Sequence, residues 1–437
     1  MTKRIFLLTM TLCIVLAATL SSAAETLPPE NLGSLIATAL ADNPELKSSL
    51  SRWQMFVNRS RQAGLLEDPM FMFKLQNMVA REPLAFDKDP QTAKVIGITQ
   101  QLPFWGKRAL RREVAKQEAE SYKWALEERK LELVRMVKEA YYQLYAVDKS
   151  LEIVAKNLRI LSDFTTIAES RYSVGQGVQQ DIFKAALEKS KLLELQITLK
   201  QQRTSLEATL NYLLFRPEAT PVGRIADFRL PTLSLTSRQL KERAFDQRPQ
   251  LKSLTTLANK GETARELALK ESYPDFNLSL EYMFREESMN DPGYNMFSLG
   301  VTFNLPLQRE RRQAMVAEAS SETVMSREEL NAFKNSIAYS VNDLLAQMER
   351  RRKLVELYQG GIIPQAEQSL ESAVISYKVN KVDFLTLLDG RVNLFNYERE
   401  LYDSLADYMM KLAQLEAVVG MELTASPLQV NPGKESP

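Results

Sequence analysis

The sequence has 437 residues but no histidine and a single cysteine, Cys13. Cys13 lies in an apolar run near the N-terminus, so the rest of the chain contains neither residue. Their absence excludes disulfide bonds, thiol chemistry, imidazole metal ligands and histidine-based catalysis. We therefore expect that the chain is not an enzyme and holds no cofactor or metal ion.

The sequence also lacks an excess of positive or negative charge. The chain has 56 Lys and Arg against 55 Asp and Glu, for a net charge of +1. Nucleic-acid-binding proteins usually carry basic clusters, which this sequence does not show. The charge balance therefore argues against a nucleic-acid partner.

Residues 1–24 have the order of a secretory signal peptide. Lys3 and Arg4 precede an apolar run from Ile5 to Leu20, and small residues follow up to Ala24. This order predicts export and cleavage near Ala24. Because Cys13 lies within the apolar run and away from the cleavage point, we do not interpret it as a lipid-attachment site.

The chain contains an internal duplication, which sets its domain organisation. Three pairs of landmarks recur 205 positions apart: Tyr172 and Tyr377, Pro44 and Pro249, and Pro69 and Pro274. They predict a first repeat over 25–215, a proline-containing linker over 216–236, a second repeat over 237–422 and a flexible tail over 423–437. Each repeat has the order helix, β-hairpin, long helix, tip, helix. The first helices span 32–65 and 237–272, the hairpins about 70–103 and 275–305, and the tips about 172–180 and 377–383.

Both predicted hairpins alternate apolar and polar residues. The clearest strand runs from Phe276 to Arg285, with apolar residues at every second position. About ten alternating residues are typical of a transmembrane β-strand, although a half-buried sheet of a soluble protein has the same pattern. Because four strands cannot close a barrel and open edges are costly in lipid, the membrane interpretation requires an oligomer with eight, twelve or sixteen strands.

The region from Phe104 to about Tyr172 predicts one long helix. Its apolar residues from Leu133 to Leu161 are spaced four and three apart, which is the heptad repeat of coiled coils. At 1.5 Å per residue this helix is roughly 100 Å long. Two shorter helices, one on each side in sequence, could stack end to end along it. In the second long helix, Gly360, Gly361 and Pro364 predict a kink.

These features resemble the TolC-type outer-membrane efflux channel family. The resemblance covers nearly the whole mature chain and includes the duplicated layout, the hairpin exit Leu102 to Arg108 and the two tips, which are similar to the heavy-metal and cation branch. It implies a mainly α protein with a transmembrane β-barrel: a homotrimer with a twelve-stranded barrel in the outer membrane of a Gram-negative bacterium, continued by a periplasmic α-helical barrel of coiled-coil hairpins. It also implies a passive duct that docks on a periplasmic adaptor and an inner-membrane transporter of the RND type.

The resemblance places the functional residues at the tips. Six residues are expected to constrict the periplasmic entrance: Tyr172, Asp181, Tyr377, Lys381, Asp383 and Asp389. Four are expected to contact the adaptor: Val174, Gly175, Val379 and Asn380. Carboxylates repeated by symmetry would form acidic rings that favour cations. In the alternative, Asp181 and Asp383 cap or charge-match helix N-termini and the tyrosines pack the hairpins.

The second tip departs from the family pattern. Asn380 stands where glycine is usual, Thr386 stands where an acidic residue is common, and Val382 replaces a basic residue. These exchanges imply that any closure of this entrance is held by different contacts.

Three other functions stay open. They are a duct for drugs or for type I protein secretion, a soluble periplasmic coiled-coil scaffold, and an outer-membrane enzyme, for which no triad is recognisable. We expect the methionines near the first hairpin, such as Met70, Met72 and Met78, to pack or to face lipid rather than to bind metal.

Overall fold

The structure of the chain, a computed structural model, describes residues 30–288 and 291–423. The predicted signal peptide, with Cys13, lies outside the described residues, as does all but the first residue of the predicted C-terminal tail. Among the described residues, no helix is both long enough and apolar enough to cross a membrane.

The helices and strands follow the same order twice. The first half contains α1 (Leu32–Asp42), α2 (Pro44–Gln62), β1 (Met70–Gln76), β2 (Ala93–Leu102), α3 (Lys107–Ser173) and α4 (Gln179–Leu214). The second half contains α5 (Ser237–Gln247), α6 (Pro249–Lys270), β3 (Phe276–Arg285), β4 (Met296–Phe303), α7 (Arg309–Leu357), a π-helical turn (Tyr358–Ile362), α8 (Ile363–Lys378) and α9 (Phe384–Val419). The first residues of α5, α6 and α9 lie 205 positions after those of α1, α2 and α4.

Each half begins with two helices instead of the single helix that we predicted. The helix is interrupted at Asn43 in the first half and at Arg248 in the second, whose ψ angles are 121° and 117°. Both residues precede a proline, which disfavours the α conformation in the residue before it. The apolar spacing continues across each break, so periodicity alone predicted one helix.

Asn43 also connects the break to the neighbouring helix. Its Oδ1 accepts a hydrogen bond from the amide of Glu45 at 2.9 Å and so caps α2. Its Nδ2 donates to the carbonyl of Leu213, in the last turn of α4, at 3.1 Å. Because α1, α2 and α4 all pack along α3, this contact joins the shorter helices beside the long one.

The second long helical segment is interrupted at its glycines. Gly360 and Gly361 lie in the π-helical turn, and Pro364 follows in the first turn of α8. Proline removes a backbone donor, and π-turns are a usual site of helix irregularity. The irregularity therefore lies at the predicted position.

The four strands form one antiparallel sheet in the order β1-β2-β3-β4. The pairing of β2 with β3 joins the two halves, with Ala93 opposite Arg285 and Leu102 opposite Phe276. β1 and β4 are the edges, and within the described residues each has a neighbouring strand on one side only. The sheet is therefore open.

The register gives the sheet one apolar and one polar face. The apolar face contains Phe71, Phe73, Ile96, Ile98, Leu278, Leu280, Tyr282, Phe284, Phe297 and Leu299. Its side chains are exposed to an unusual degree, and Phe297 is 75% exposed. An exposed apolar surface of this kind marks an interaction site with lipid or protein.

The polar face contains every methionine of the strands: Met70, Met72, Met283 and Met296. Met70 and Met72 alternate with Phe71 and Phe73, so they lie on the face of the sheet opposite the apolar one. Lys74 and Glu281 form an ion pair of 3.7 Å on the polar face. Gly97 leaves room for the Met72 side chain on this face, because a Cβ atom on residue 97 would stand only 3.1 Å from Met72 Cε.

A buried ammonium group fixes the junction between the sheet and the helices. Lys107 is 1% exposed. Its Nζ donates to Asp275 Oδ1 at 2.9 Å, to Glu271 Oε2 at 3.1 Å and to the carbonyl of Tyr273 at 2.9 Å. Asp275 also accepts from the amide of Phe104 at 2.8 Å. The exit of the first hairpin is thereby tied to the entry of the second.

The electrostatics of this junction favour the ionised pair. Although burial opposes ionisation, the Phe104 amide and the Lys107 ammonium lower the pKa of Asp275. A carboxyl whose folded-state pKa is lowered stabilises the fold above its unfolded pKa, and this contribution is lost as the pH falls through the folded value.

We expect Lys107→Met to destabilise the protein by roughly 3 kcal/mol at neutral pH, because it leaves Asp275 without its cation. The difference from the wild type should narrow as the pH falls through the lowered pKa of Asp275, because protonation removes the charge that Lys107 balances. Thermal melting of the purified protein between pH 3 and pH 7 would measure both effects. The control Lys47→Met removes an exposed lysine and should change stability by less than about 0.5 kcal/mol. Equal effects of the two variants on stability would contradict a stabilising role of the buried Lys107–Asp275 pair.

Candidate functional site at the helical tips

Both tips are built from the same helix-ending turn. In the first, Gly175 has a φ of +73°, its amide donates to the Tyr172 carbonyl at 3.0 Å, and the Gln176 amide donates to the Arg171 carbonyl at 2.8 Å. This pair of hydrogen bonds is the Schellman motif, which needs a residue that tolerates the left-handed conformation. Glycine meets that need without strain.

The second tip repeats this geometry with a different residue. Asn380 has a φ of +59°, its amide donates to the Tyr377 carbonyl at 3.1 Å, and the Lys381 amide donates to the Ser376 carbonyl at 2.9 Å. Asparagine is one of the few other residues that adopt this conformation readily. The replacement of glycine by Asn380 therefore leaves the turn type unchanged.

Arg171 connects the two tips. Its Nη1 donates to the Tyr377 carbonyl at 2.9 Å, and its guanidinium lies 4.4 Å from the centre of the Tyr377 ring. Below this contact, the Tyr377 ring lies 5.8 Å from the ring of Phe384. One arginine of the first hairpin thus packs over a tyrosine of the second.

The predicted entrance residues differ in exposure. Tyr377 is 7% exposed and belongs to the hydrophobic core of the tips, whereas Tyr172 is 47% exposed. Lys381, Asp383 and Asp389 are exposed, and Asp181 is half-buried. The four predicted adaptor residues, Val174, Gly175, Val379 and Asn380, are all exposed at the turns. The structure thus brings the predicted residues to one end of the helices but places Tyr377 inside the hairpin.

Asp383 is the N-cap of α9. Its Oδ1 accepts hydrogen bonds from the Thr386 hydroxyl at 2.6 Å and from the Thr386 amide at 2.9 Å. These two donors lower the pKa of the Asp383 carboxyl. The carboxylate therefore has a local structural role at this position.

Asp181 is instead in the first turn of α4, where a negative charge complements the helix dipole. Partial burial raises its pKa, Lys184 works in the opposite direction, and the carboxylate of Asp383 adds to the rise. The electrostatic coupling shows that the charges of both hairpins influence one another at the tips.

The turn motif and the periodicity of the sequence did not identify Arg171 and Lys184. A signal for both exists in the duplication, because the positions 205 residues later carry Ser376 and Asp389. Each pair differs in charge at a tip whose turn is otherwise repeated. A comparison of the two repeats position by position could have found them.

Among the described residues, there is no group of three or more acidic side chains placed to hold a metal ion. The tips thus combine exposed apolar side chains at the turns with separate acidic and basic groups. Such a surface can bind a partner and influence ions, and the long helices place it at the end opposite the sheet.

The fold defines a class of protein in which a four-stranded sheet with an exposed apolar face continues into long helical hairpins. A family profile described as "Outer membrane efflux protein" matches residues 35–214 and 240–421. The chain belongs to this family, so the predicted resemblance is confirmed.

Two relatives align over about two thirds of the chain. The cobalt-zinc-cadmium resistance protein CzcC of Cupriavidus metallidurans is 24% identical over 302 residues, which cover 66% of this chain and 68% of the relative. The outer membrane protein TolC of Vibrio cholerae is 20% identical over 313 residues, which cover 69% and 70%.

Crystal structures of outer-membrane channels share the fold. The outer membrane protein VceC of Vibrio cholerae has a TM-score of 0.75 and 18% identity, over 90% of this chain and 96% of that one. CusC has a TM-score of 0.73 and 16% identity, over 90% and 92%. At these identities the likeness shows the fold alone.

We expect Tyr377→Ala to destabilise the tips by about 3 kcal/mol, because it removes a buried ring and the platform for Arg171. Tyr377→Phe keeps the ring and should cost less than about 1 kcal/mol. Hydrogen exchange of the amides in α8 and at the start of α9 would report the loss locally. The matched control Tyr172→Ala truncates the exposed tyrosine of the other tip and should leave exchange unchanged. Similar increases in exchange for both alanine variants would show that the difference in burial has no energetic consequence.

Proposed function

We propose that the protein is one subunit of a trimeric export duct in the outer membrane, and that it carries out no chemistry. The observation that carries this proposal is the open sheet, whose apolar face is exposed and whose two edges lack a second neighbouring strand among the described residues. Membership in the outer membrane efflux protein family supports it.

The edges of the sheet explain the oligomer. In the hydrocarbon region of a membrane, each unpaired backbone amide or carbonyl costs several kcal/mol. Pairing the β4 edge of one copy with the β1 edge of the next removes both edges. Three copies then form a closed barrel of twelve strands, with the apolar faces toward lipid and the polar faces around the lumen.

The helices extend this duct into the periplasm. Helix α3 has 67 residues and therefore a length of about 100 Å. The shorter helices pack along it, so each copy contributes a curved wall. In three copies, these walls form an α-helical barrel that ends at the tips.

The tips form the periplasmic entrance in this proposal. Val174, Gly175, Val379 and Asn380 present the surface that a periplasmic adaptor contacts, since they are exposed at the ends of both hairpins. The adaptor connects the duct to an inner-membrane transporter of the RND type. Tyr377 contributes indirectly, because its buried ring and carbonyl hold Arg171 in place.

Tyr172, Asp181, Lys381, Asp383 and Asp389 are the remaining entrance residues. Three copies of each carboxylate make acidic rings that concentrate cations. Similarity to a cobalt-zinc-cadmium resistance protein supports heavy-metal cations as the substrate. With no histidine in the chain and no cysteine among its described residues, the selection of the metal is assigned to the transporter.

Light scattering of the mature protein, purified from outer membranes in detergent, tests the assembly. We expect three chains per particle, since fewer copies leave strand edges unpaired. A particle of one or two chains, or recovery in the soluble fraction, would contradict the duct and favour a periplasmic scaffold.

Single-channel recording in planar bilayers tests the acidic rings. We expect Asp181→Asn and Asp389→Asn to lower the preference for cations over anions severalfold, because each removes three charges at the entrance. Asp383→Asn removes a charge from the residue that caps α9. Because asparagine also caps helices, this variant should preserve the fold. If all three variants conduct as the wild type does, the entrance lies elsewhere.

A further inference from the structure

A groove opens where the sheet meets the helices, on the apolar side of the sheet. Its volume is about 960 Å³, and its walls are the ends of β2, β3 and β4, the turn before α3 and the first turns of α3. We name it the junction groove. In the proposed orientation it lies at the periplasmic boundary of the membrane.

The membrane side of the junction groove is apolar. Leu102, Phe276, Leu278 and Val301 line it, and all four lie on the apolar face of the sheet. Trp105 forms its rim and is 75% exposed. Exposed tryptophan is typical of the interface between lipid chains and headgroups.

The other side of the groove is basic. Arg108, Arg112 and Lys116 line it at intervals of four residues along α3, so they share one side of the helix. The groove also contains one acidic residue, Glu113, which pairs with Lys116 at 3.6 Å. These four side chains sum to a charge of two positive units.

A further cation stands at the turn. The Nζ of Lys270 would lie 3.0 Å from a Cβ atom built on Gly106, which is part of the groove. Gly106 has a φ of +88° and no side chain, so the ammonium packs close to the backbone of this turn. The charge in and beside the groove is therefore positive, directly below an apolar surface.

We propose that the junction groove binds an anionic diacyl phospholipid of the periplasmic leaflet. Its acyl chains lie on the strand ends and Trp105, and its phosphate faces Arg112 and Lys116. Arginine binds phosphate through paired hydrogen bonds, and basic pockets beside membrane segments select anionic headgroups. This inference rests on the proposed placement of the sheet in the outer membrane.

The alternative occupant is a neighbouring subunit of the trimer. The strand residues that line the groove come from three different strands, two of which, β2 and β3, are central in the sheet. A neighbour that pairs with the edges of β1 and β4 leaves the apolar face of the central strands uncovered. The combination of this face with a row of cations therefore favours lipid over protein.

The test variant spares Arg108, which has a structural contact. Its Nε and Nη2 donate to the Gly64 carbonyl at 3.1 and 2.9 Å. Arg112 and Lys116 are exposed, so Arg112→Gln/Lys116→Gln removes two charges without breaking that contact. The matched control is Lys200→Gln/Arg238→Gln, which also removes one lysine and one arginine from exposed positions, on α4 and α5 outside the groove lining.

Native mass spectrometry of the mature protein tests the proposal. The protein is equilibrated in detergent with equal amounts of phosphatidylglycerol and phosphatidylcholine of identical acyl chains. We expect the trimer to retain phosphatidylglycerol at least fivefold over phosphatidylcholine. In Arg112→Gln/Lys116→Gln this ratio should fall to near one, and in the control it should stay at the wild-type value.

The outcomes separate the two proposals. A trimer that retains both lipids equally, or a double variant that keeps the wild-type ratio, overturns the lipid site and leaves the duct intact. If the wild type shows no lipid preference and the trimer of the double variant dissociates into single chains, the occupant of the groove is the neighbouring subunit. That result also overturns the lipid site. A wild-type monomer contradicts the proposed duct itself.

A second measurement locates the bound lipid. Trp105 is the only tryptophan at the groove, and Trp53→Phe/Trp124→Phe leaves it as the sole tryptophan of the chain, so that its fluorescence can be excited selectively. In phosphatidylcholine bilayers, we expect brominated phosphatidylglycerol to quench Trp105 at severalfold lower mole fraction than brominated phosphatidylcholine. Equal quenching by the two lipids would show that the basic row does not select the lipid beside Trp105.

Discussion

The free edges of β1 and β4 are the constraint on which the proposed assembly depends. Backbone donors and acceptors along these edges need partners, and a lipid environment supplies none. Since the described chain offers no fifth strand, the proposed assembly takes these partners from other copies. Pairing of the edges also constrains the helices, because each strand is joined to a helix at one end by a short, fixed turn. Lys107 and Asp275 hold both turns in one hydrogen-bonded unit, so a closed barrel also orients the helices below it.

The duplication explains the symmetry of the backbone but not the chemistry of the tips. Both hairpins end in the same Schellman turn, and α4 and α9 start and end 205 residues apart. The side chains have diverged: Arg171 corresponds to Ser376, and Lys184 corresponds to Asp389. The contact from Arg171 to Tyr377 therefore has no equivalent between Ser376 and Tyr172, the corresponding residues of the other repeat. A ring of three subunits would consequently alternate two kinds of tip with unlike charges, although its backbone approaches sixfold symmetry.

Periodicity and turn residues predicted much of this fold from the sequence. Alternation identified the strands, heptad spacing identified α3, and Gly175 and Asn380 marked the tips. The breaks at Asn43 and Arg248 were missed because apolar spacing continues through them, although the prolines were noted. The unequal burial of Tyr172 and Tyr377 was not predictable from their shared motif, because it depends on an arginine about 200 residues away. Lys107 next to Arg108 looks like surface charge in the sequence, and only the approach of Asp275 explains its burial.

Helix α8 is a part of the tips that is weakly tied to the rest of the protein. It has 16 residues, of which only Tyr377 is buried. At its start, the π-helical turn with Gly360 and Gly361 interrupts the hydrogen-bond pattern of the helix. At its end, Arg171 and Phe384 hold the Tyr377 ring. Segments with few buried contacts open at the lowest free-energy cost. A rearrangement of the tips is therefore expected to pivot at the π-helical turn and to break the Arg171 contact first, while α3 and the sheet keep their geometry.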